Sequence, residues 1–171
     1  LQRLCPVHIV DDEFQSGIIN AVRRRLEDEG WHTIVVEPKA RWSPGEEFEL
    51  AALYAVEEER PDGVLLDVRF GEHPDDRFRG LAILQSILQR FPKLPILMYT
   101  QYVQGPDRET AVRGALKWDA PVDFIDKLAS PEEVVLRLRR LIGTEPDVIP
   151  IGNSILLNAS VGLLYVIDGD D

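Results

Sequence analysis

The stretch Pro6-Val7-His8-Ile9-Val10-Asp11-Asp12-Glu13 places a short apolar run directly before three acidic residues. Similar runs at residues 63–66, 95–99 and 122–125 end at Asp67, at Thr100 and at Asp126-Lys127. Runs that are apolar throughout, instead of alternating with polar residues, indicate strands that are buried on both faces. Together with residues 33–36, they predict five strands of one parallel sheet.

Segments with a helical spacing of apolar residues follow these runs. They are expected at residues 16–29, 46–59, 81–91, 107–118 and 131–142. The last helix has the clearest beginning, because Ser130-Pro131-Glu132-Glu133 is a capping box with proline at the first helical position. Strand–helix units repeated over residues 4–143 predict an α/β domain with a doubly wound, five-stranded parallel sheet.

The strand–helix pattern stops at residue 144. Residues 144–150 are expected to be a linker, and apolar strips at residues 155–157 and 163–167 predict a β-hairpin extension within residues 151–171. A lone hairpin is marginally stable in water. We therefore expect it to pair with the first domain, with a second chain or with residues outside this sequence.

Composition narrows the class of protein. The 171 residues contain 30 acidic and 19 basic side chains, for a formal charge of −11, which argues against binding nucleic acid through charge alone. The single cysteine, Cys5, can form neither an internal disulfide nor a structural zinc site. No apolar run approaches the roughly 20 residues that span a bilayer. A cytoplasmic protein that does not contact membranes is expected.

Polar side chains are concentrated where the predicted strands end. Ligands of a doubly wound sheet bind at the carboxyl ends of its strands, where Asp11, Asp12 and Asp67 would meet Thr100 and Lys127. Crowded carboxylates repel one another unless a cation is present, and a hard divalent ion, most simply Mg²⁺, suits oxygen ligands. Carboxylates, a metal, a lysine and a hydroxyl together suit the stabilisation of phosphoryl oxygens, with an aspartate as nucleophile.

This ordered set resembles the receiver domain of two-component response regulators. The resemblance covers about residues 4–143 and is carried by residues 7–13, 64–67, 95–100 and 123–127, with Gly114-Ala115 before the fifth strand. It implies a flavodoxin-like fold, a signalling switch that is not an enzyme, and a sensor histidine kinase as partner. It also implies a possible homodimer through the face formed by the fourth helix, the fifth strand and the fifth helix.

The resemblance assigns roles to residues around the phosphoryl group. It implies that Asp67 accepts the group, that Lys127 pairs with its oxygens and that Thr100 moves toward it. Phe124 stands where the family often has an aromatic side chain that rotates inward with the threonine. Phosphorylation would then shift a two-state equilibrium of the partner surface.

The resemblance also implies a set of metal ligands. Asp12 would bind Mg²⁺ directly and Asp11 through water. Asp67 and the backbone carbonyl of Arg69 would complete the ligands that the protein provides.

Three features depart from the family pattern. Leu128 follows the lysine where a cis-proline is usual, so the loop that presents Lys127 is expected to differ. Gln101 follows the threonine where a small residue is usual, and it is expected to shield the site and to slow gain and loss of the phosphoryl group. The loop at residues 69–79 is longer than the family norm and borders the site.

Other functions stay open at this point. A phosphohydrolase of the haloacid-dehalogenase kind would need a second aspartate two residues after its nucleophile on the first strand, but Glu13 occupies that position. A module that binds Mg²⁺ and a partner without being phosphorylated is a further alternative. Residues 151–171 resemble the opening strands of a winged-helix effector domain, through which DNA would be bound and transcription regulated.

Overall fold

The computed structural model describes residues 6–38, 47–71, 74–101 and 105–143, and the backbone of residues 148–150, 155–158 and 163–166. Five strands alternate with five α-helices in the first part of the chain. In chain order these are β1 (Pro6–Val10), α1 (Gly17–Asp28), β2 (His32–Val35), α2 (Glu47–Glu59), β3 (Gly63–Leu66), α3 (Arg79–Arg90), β4 (Ile96–Thr100), α4 (Pro106–Leu116), β5 (Val122–Asp126) and α5 (Pro131–Ile142).

The five strands form one sheet in which every neighbouring pair is parallel. Their order is β2-β1-β3-β4-β5, so the chain reverses its direction of travel across the sheet between β2 and β3. This confirms the predicted doubly wound, flavodoxin-like sheet. The reversal places a crevice at the carboxyl ends of β1 and β3.

Both faces of the sheet are buried, as the continuous apolar runs predict. Leu65 and Leu97 pack with α1 and α5, whereas their neighbours Leu66 and Met98 pack with α2, α3 and α4. Successive side chains of a strand point to opposite faces, so a strand that is covered on both sides must be apolar at every position.

Two apolar residues of α1 and α4 are exposed. Ile18 is 41% exposed and Leu116 is 49% exposed, while the adjacent residues Ile19 and Ala115 are buried. Adjacent residues of a helix point about 100° apart, so only one member of each pair faces the sheet.

The predicted caps of the last helix are present. The backbone N–H of Glu133 donates to the Ser130 hydroxyl at 3.2 Å, and Pro131 is the first helical residue. Gly143 ends the helix in the left-handed conformation (φ 75°), and its N–H donates to the Arg139 carbonyl at 3.0 Å.

The C-terminal segment contains a three-stranded antiparallel sheet of β6 (Val148–Pro150), β7 (Ile155–Asn158) and β8 (Leu163–Val166). The predicted hairpin is therefore present as β7 and β8. The predicted linker, residues 144–150, is not wholly irregular, because Val148–Pro150 pairs with β7. The hairpin therefore pairs with a strand from the predicted linker, which was not among its three expected partners. Residues 144–147, 151–154, 159–162 and 167–171 lie outside the described residues.

No helix within the described ranges is both long enough and apolar enough to cross a membrane.

Candidate functional site

The register of the sheet brings the predicted site residues to one edge. Val10 of β1 is aligned with Leu66 of β3, so Asp11 and Asp67 each follow the last residue of an adjacent strand. The Asp67 N–H donates to the Val10 carbonyl at 3.0 Å, which continues the strand pairing as far as Asp67. Asp11 and Asp67 are both buried.

Lys127 reaches both carboxylates from the end of β5. Its Nζ lies 2.7 Å from Asp11 Oδ2 and 2.8 Å from Asp67 Oδ2, and 3.9 Å from Glu13 Oε2. The Lys127 side chain is buried, and its backbone N–H donates to the Thr100 carbonyl at 2.8 Å. A buried ammonium and two buried carboxylates stabilise one another, and removal of one of these charges would destabilise the fold because the others would lose their partner.

The surroundings shift the ionisation of all three groups. The pKa of Asp11 is raised to about 6, mainly by burial and also by the negative charge of Asp67, while Lys127 opposes both effects. Burial also raises the pKa of Asp67, against the effect of Lys127 and of hydrogen bonds from Thr100 and Arg69. Burial alone would lower the pKa of Lys127, but the carboxylates of Asp67 and Asp11 outweigh it and raise that pKa.

Backbone and hydroxyl donors fix the orientation of the Asp67 carboxylate. Its Oδ1 accepts hydrogen bonds from the N–H groups of Val68 at 2.7 Å and Arg69 at 3.3 Å. The buried Thr100 hydroxyl acts as a further donor that lowers the pKa of this carboxyl. Asp67 therefore has one oxygen held by its own loop and the other held by Lys127.

A cavity of about 440 Å³ opens beside Asp67, and we call it the strand-end cavity. Its lining residues come from the ends of β1, β3 and β4; they are Asp12, Glu13, Asp67, Arg69, Gly71, Thr100 and Gln101. The cavity thus brings together four of the predicted site residues, while Lys127 contacts Asp67 and Asp11 contacts Lys127.

The carboxylates at this edge have the chemistry of a hard-cation site. One carboxylate oxygen from each of Asp11, Asp12 and Asp67 lies within 4.8 Å of the other two. Asp12 Oδ2 also accepts a hydrogen bond from the Gly71 N–H at 2.7 Å, which orients its side chain. Oxygen donors in a polar cavity fit Mg²⁺, which prefers carboxylates and retains some of its waters.

Gln101 lies where the sequence predicts a shield. Its Nε2 donates to Glu13 Oε2 at 3.1 Å, so the two exposed side chains are joined across the strand-end cavity. Phe124 is buried, and the Arg108 guanidinium lies 5.9 Å from the centroid of its ring. The ring is therefore buried, and it belongs to the same core cluster as Ala111 and Ala115 of α4.

The loop after Lys127 is ordered by an aspartate instead of a proline. The Leu128 N–H donates to Asp126 Oδ1 at 2.8 Å, and the Ala129 N–H donates to the Asp126 carbonyl at 2.9 Å. The peptide bond that precedes Leu128 is trans, and the Leu128 side chain is 76% exposed. The departure that the sequence predicts is therefore a compact turn in which Asp126 provides the missing constraint.

Sequence reasoning missed Gly80, the second residue of α3. A β-carbon at this position would lie 1.8 Å from the Asp67 carbonyl oxygen and 2.6 Å from Val68 Cα. The Gly80 N–H donates to the Val68 carbonyl at 2.8 Å. The helix can approach the Asp67 loop this closely only because residue 80 has no side chain. Gly80 lies one residue before the predicted helix at residues 81–91, so the spacing of apolar residues did not single it out.

The long loop at residues 69–79 contacts α2, and hydrogen bonds join its two ends. The Phe70 ring lies 4.9 Å from the Phe48 ring of α2, and the Phe70 N–H donates to the Asp76 carbonyl at 3.3 Å. Arg79 Nη2 lies 2.8 Å from Asp76 Oδ1. Residues 74–76 form one turn of 3₁₀-helix, and residues 72–73 lie outside the described residues.

Two curated proteins resemble this sequence. The chain is 32% identical over 136 residues to the probable transcriptional regulatory protein TcrX of Mycobacterium tuberculosis, which covers 80% of this chain and 49% of TcrX. It is 31% identical over 134 residues to the putative response regulator NtrX-like of Rickettsia felis, covering 78% of this chain and 24% of that protein. The chain thus spans about half of the first relative and about a quarter of the second. No protein-family profile matches it.

A solved structure supports the same fold. The CheY-like response regulator receiver domain protein of Methanospirillum hungatei aligns with a TM-score of 0.57 at 20% identity. The alignment covers 82% of this chain and 95% of that one. The chain therefore has the fold of a receiver domain, and its sequence is similar to a transcriptional regulatory protein and to a response regulator.

Proposed function

We propose that Asp67 accepts a phosphoryl group from a sensor histidine kinase, and that the modified domain presents an altered surface to a partner. One observation carries this proposal. The Asp67 carboxylate lies between the Lys127 ammonium, 2.8 Å away, and the Thr100 hydroxyl, next to a cavity that is open to a donor. An aspartate in this position combines a nucleophile with groups that stabilise phosphoryl oxygens.

The phosphoryl group passes directly from the histidine of the kinase to Asp67. An Asp67 carboxylate oxygen forms a bond to phosphorus, the bond between phosphorus and the histidine nitrogen of the kinase breaks, and the imidazole leaves with a proton from the medium. Lys127 exchanges its contact with an Asp67 oxygen for one with a phosphoryl oxygen, and the Thr100 hydroxyl donates to another. Both groups act where negative charge increases.

Mg²⁺ fits the acidic side of the same cavity. Asp11, Asp12, Asp67 and the backbone carbonyl of Arg69 would hold it, with Asp11 acting through water. When bound, the ion supplies positive charge beside the phosphoryl oxygens. The Gly71 N–H would hold the Asp12 carboxylate in place for this contact.

The change at Asp67 is proposed to reach the surface through Thr100 and Phe124. A phosphoryl group adds nearly two negative charges, so that Thr100 is drawn toward it and the space beside Phe124 changes. The exposed part of α4, β5 and α5 carries an Arg137–Asp123 ion pair at 3.2 Å and the half-exposed Leu116. We propose this face as the homodimer or partner surface.

Control of transcription is proposed as the output. The M. tuberculosis relative carries the name of a transcriptional regulatory protein. The three strands β6–β8 follow the receiver domain, where a winged-helix effector domain would begin and provide contact with DNA. A longer form of the protein that binds a promoter fragment only after phosphorylation would support this output.

The test is uptake of a phosphoryl group from a small donor. The full chain is incubated with acetyl phosphate and Mg²⁺, and intact-mass spectrometry counts the groups added. We expect one group on the wild type, none on Asp67→Asn and one on Asp28→Asn, which changes an exposed aspartate of α1. Labelling of Asp67→Asn at the wild-type rate would refute the assignment. Binding of Mg²⁺ without labelling of the wild type would favour an interaction module.

A further inference from the structure

A second cavity lies near the amino ends of β3 and β4, whereas Asp67 follows the carboxyl end of β3. It has a volume of about 330 Å³ and is bounded by the C-terminal ends of α2 and α3; we call it the basal cavity. Val56, Pro61, Phe91 and Leu94 form its apolar floor. Pro61 and Leu94 each lie two residues before a strand, β3 and β4, whose other ends carry Asp67 and Thr100. The basal cavity is therefore separate from the strand-end cavity.

Three cationic residues surround this floor. Arg60, Arg90 and Lys93 line the basal cavity, and its lining includes no acidic residue among those that the structure describes. This concentration of positive charge is unusual in a chain with a formal charge of −11. Arg90 Nη1 lies 3.6 Å from Glu57 Oε2, but both side chains are more than half exposed, so the pair is weak. Within the described residues, neither Arg60 nor Lys93 has a carboxylate within ion-pairing distance.

Arg60 is held over the basal cavity by a backbone conformation that a side chain disfavours. Its φ is 49°, and it is the one non-glycine residue with a positive φ in the described part of the chain. Its N–H donates to the Val56 carbonyl at 3.1 Å and ends α2, a role that glycine fills without strain. The Arg60 Nε donates to the Glu57 carbonyl at 3.1 Å, and the guanidinium lies 5.6 Å from the centroid of the Phe91 ring. Helix termination alone therefore does not account for an arginine here.

We propose that the basal cavity binds a small organic carboxylic acid with an aromatic or branched aliphatic body. The body would lie on Phe91 and Leu94, and the carboxylate would pair with Arg60 and Lys93. Arginine suits this role because its planar guanidinium can donate two parallel hydrogen bonds to one carboxylate. The volume is at the lower end of the range for ligand cavities, which matches a single ring or branched chain with its acid group. The proposal does not depend on phosphorylation of Asp67.

The test is a titration of the ¹⁵N-labelled full chain with phenylacetate, isovalerate and benzoate, followed by amide chemical shifts. At least one of the three is expected to give saturable shifts confined to residues 56–62 and 90–94. Phenylacetamide, which lacks the charge, and acetate, which lacks the apolar body, are expected to bind about tenfold more weakly or worse. Failure of all three acids to saturate would overturn the proposal, and so would equal binding of phenylacetamide.

Arg60→Gly is the informative variant, because glycine accepts the positive φ and should preserve the fold. Its thermal unfolding is expected to be cooperative, and its affinity for the acid about tenfold lower than that of the wild type. Arg113→Ala removes an exposed arginine of α4 and should leave affinity unchanged. Wild-type affinity in Arg60→Gly would show that Arg60 only covers Phe91, and would refute its role in binding.

Discussion

A β-carbon on Gly80 would lie 1.8 Å from the Asp67 carbonyl oxygen, so the first turn of α3 leaves no room for a side chain beside Asp67. The contact is with backbone atoms, which cannot rotate away as a side chain can. The position of Asp67 therefore depends on a residue that has no chemistry of its own.

Gly80→Ala is expected to destabilise the protein by about 2–3 kcal/mol, because the added methyl group must displace the Asp67 loop or α3. Phosphoryl uptake by Asp67 should fall as well. Urea unfolding measures the first effect and intact-mass spectrometry the second. Gly17→Ala provides the control, since a β-carbon there meets nothing within 4 Å. Equal stability of the two variants would contradict the close approach.

The buried Asp11 predicts a dependence of stability on pH. Because burial raises its pKa to about 6, the folded protein binds this proton more tightly than the unfolded chain does. The associated stability is fully present below the pKa of the unfolded chain and is lost as pH rises through about 6. Asp11→Asn cannot lose a proton, so its free energy of unfolding relative to wild type should increase by about 1 kcal/mol between about pH 5 and about pH 7.5.

Urea unfolding in the presence of EDTA measures this difference without interference from divalent ions. Asp28→Asn changes an exposed aspartate, and the difference between its free energy of unfolding and that of the wild type should stay constant over the same pH range. A constant offset for Asp11→Asn would show that Asp11 titrates normally.

Asp12 is expected to control the affinity for Mg²⁺. Its carboxylate faces the strand-end cavity and is oriented by the Gly71 N–H. Asp12→Asn should weaken Mg²⁺ binding by about tenfold or more, because a charged oxygen ligand is lost. Calorimetric titration gives the affinity directly. The rise in unfolding midpoint with added Mg²⁺ gives it independently of phosphorylation. Glu58→Gln, far from the cavity, should bind as the wild type does; equal loss in both variants would place the ion elsewhere.

The Gln101–Glu13 hydrogen bond is expected to slow the gain and the loss of a phosphoryl group at Asp67. Gln101→Ala should speed both uptake and loss of the phosphoryl group by about threefold or more, since the side chains no longer join across the cavity. Glu13→Ala should act in the same direction. The effect of the double variant on each rate should be smaller than the sum of the two single effects, with a coupling energy of about 0.5 kcal/mol or more.

Rates of labelling with acetyl phosphate and of subsequent decay measure this coupling. Gln85→Ala, on the exposed side of α3, is the control and should change neither rate. Purely additive effects of the two substitutions would show that the hydrogen bond does not act as a unit.

The sheet and the positions of its polar ends could be predicted because both follow from local pattern. Continuous apolar runs identify strands covered on two sides, and the residue after each run must lie at the same edge of a parallel sheet. Asp67 and Lys127, separated by 60 positions, meet for this reason. Ser130 and Gly143 identified the last helix because caps are also local.

The features that escaped prediction depend on pairs that are distant in sequence. The exclusion of a side chain at Gly80 is a property of the Asp67 loop, and the contact of Phe70 with Phe48 depends on how α2 packs. The strand at Val148–Pro150 contains a proline and is only three residues long, so it forms because β7 offers an edge. Leu116 is exposed because α4 buries Ala111 and Ala115, and adjacent residues of a helix point about 100° apart.

β3 and β4 are four and five residues long, and each runs from the basal cavity to the strand-end cavity. The two openings share no lining residue. An acid bound over Phe91 would therefore leave the path of a phosphodonor to Asp67 unobstructed. Any inhibition that such a compound caused would be noncompetitive, with a potency that stays the same as the donor concentration is raised.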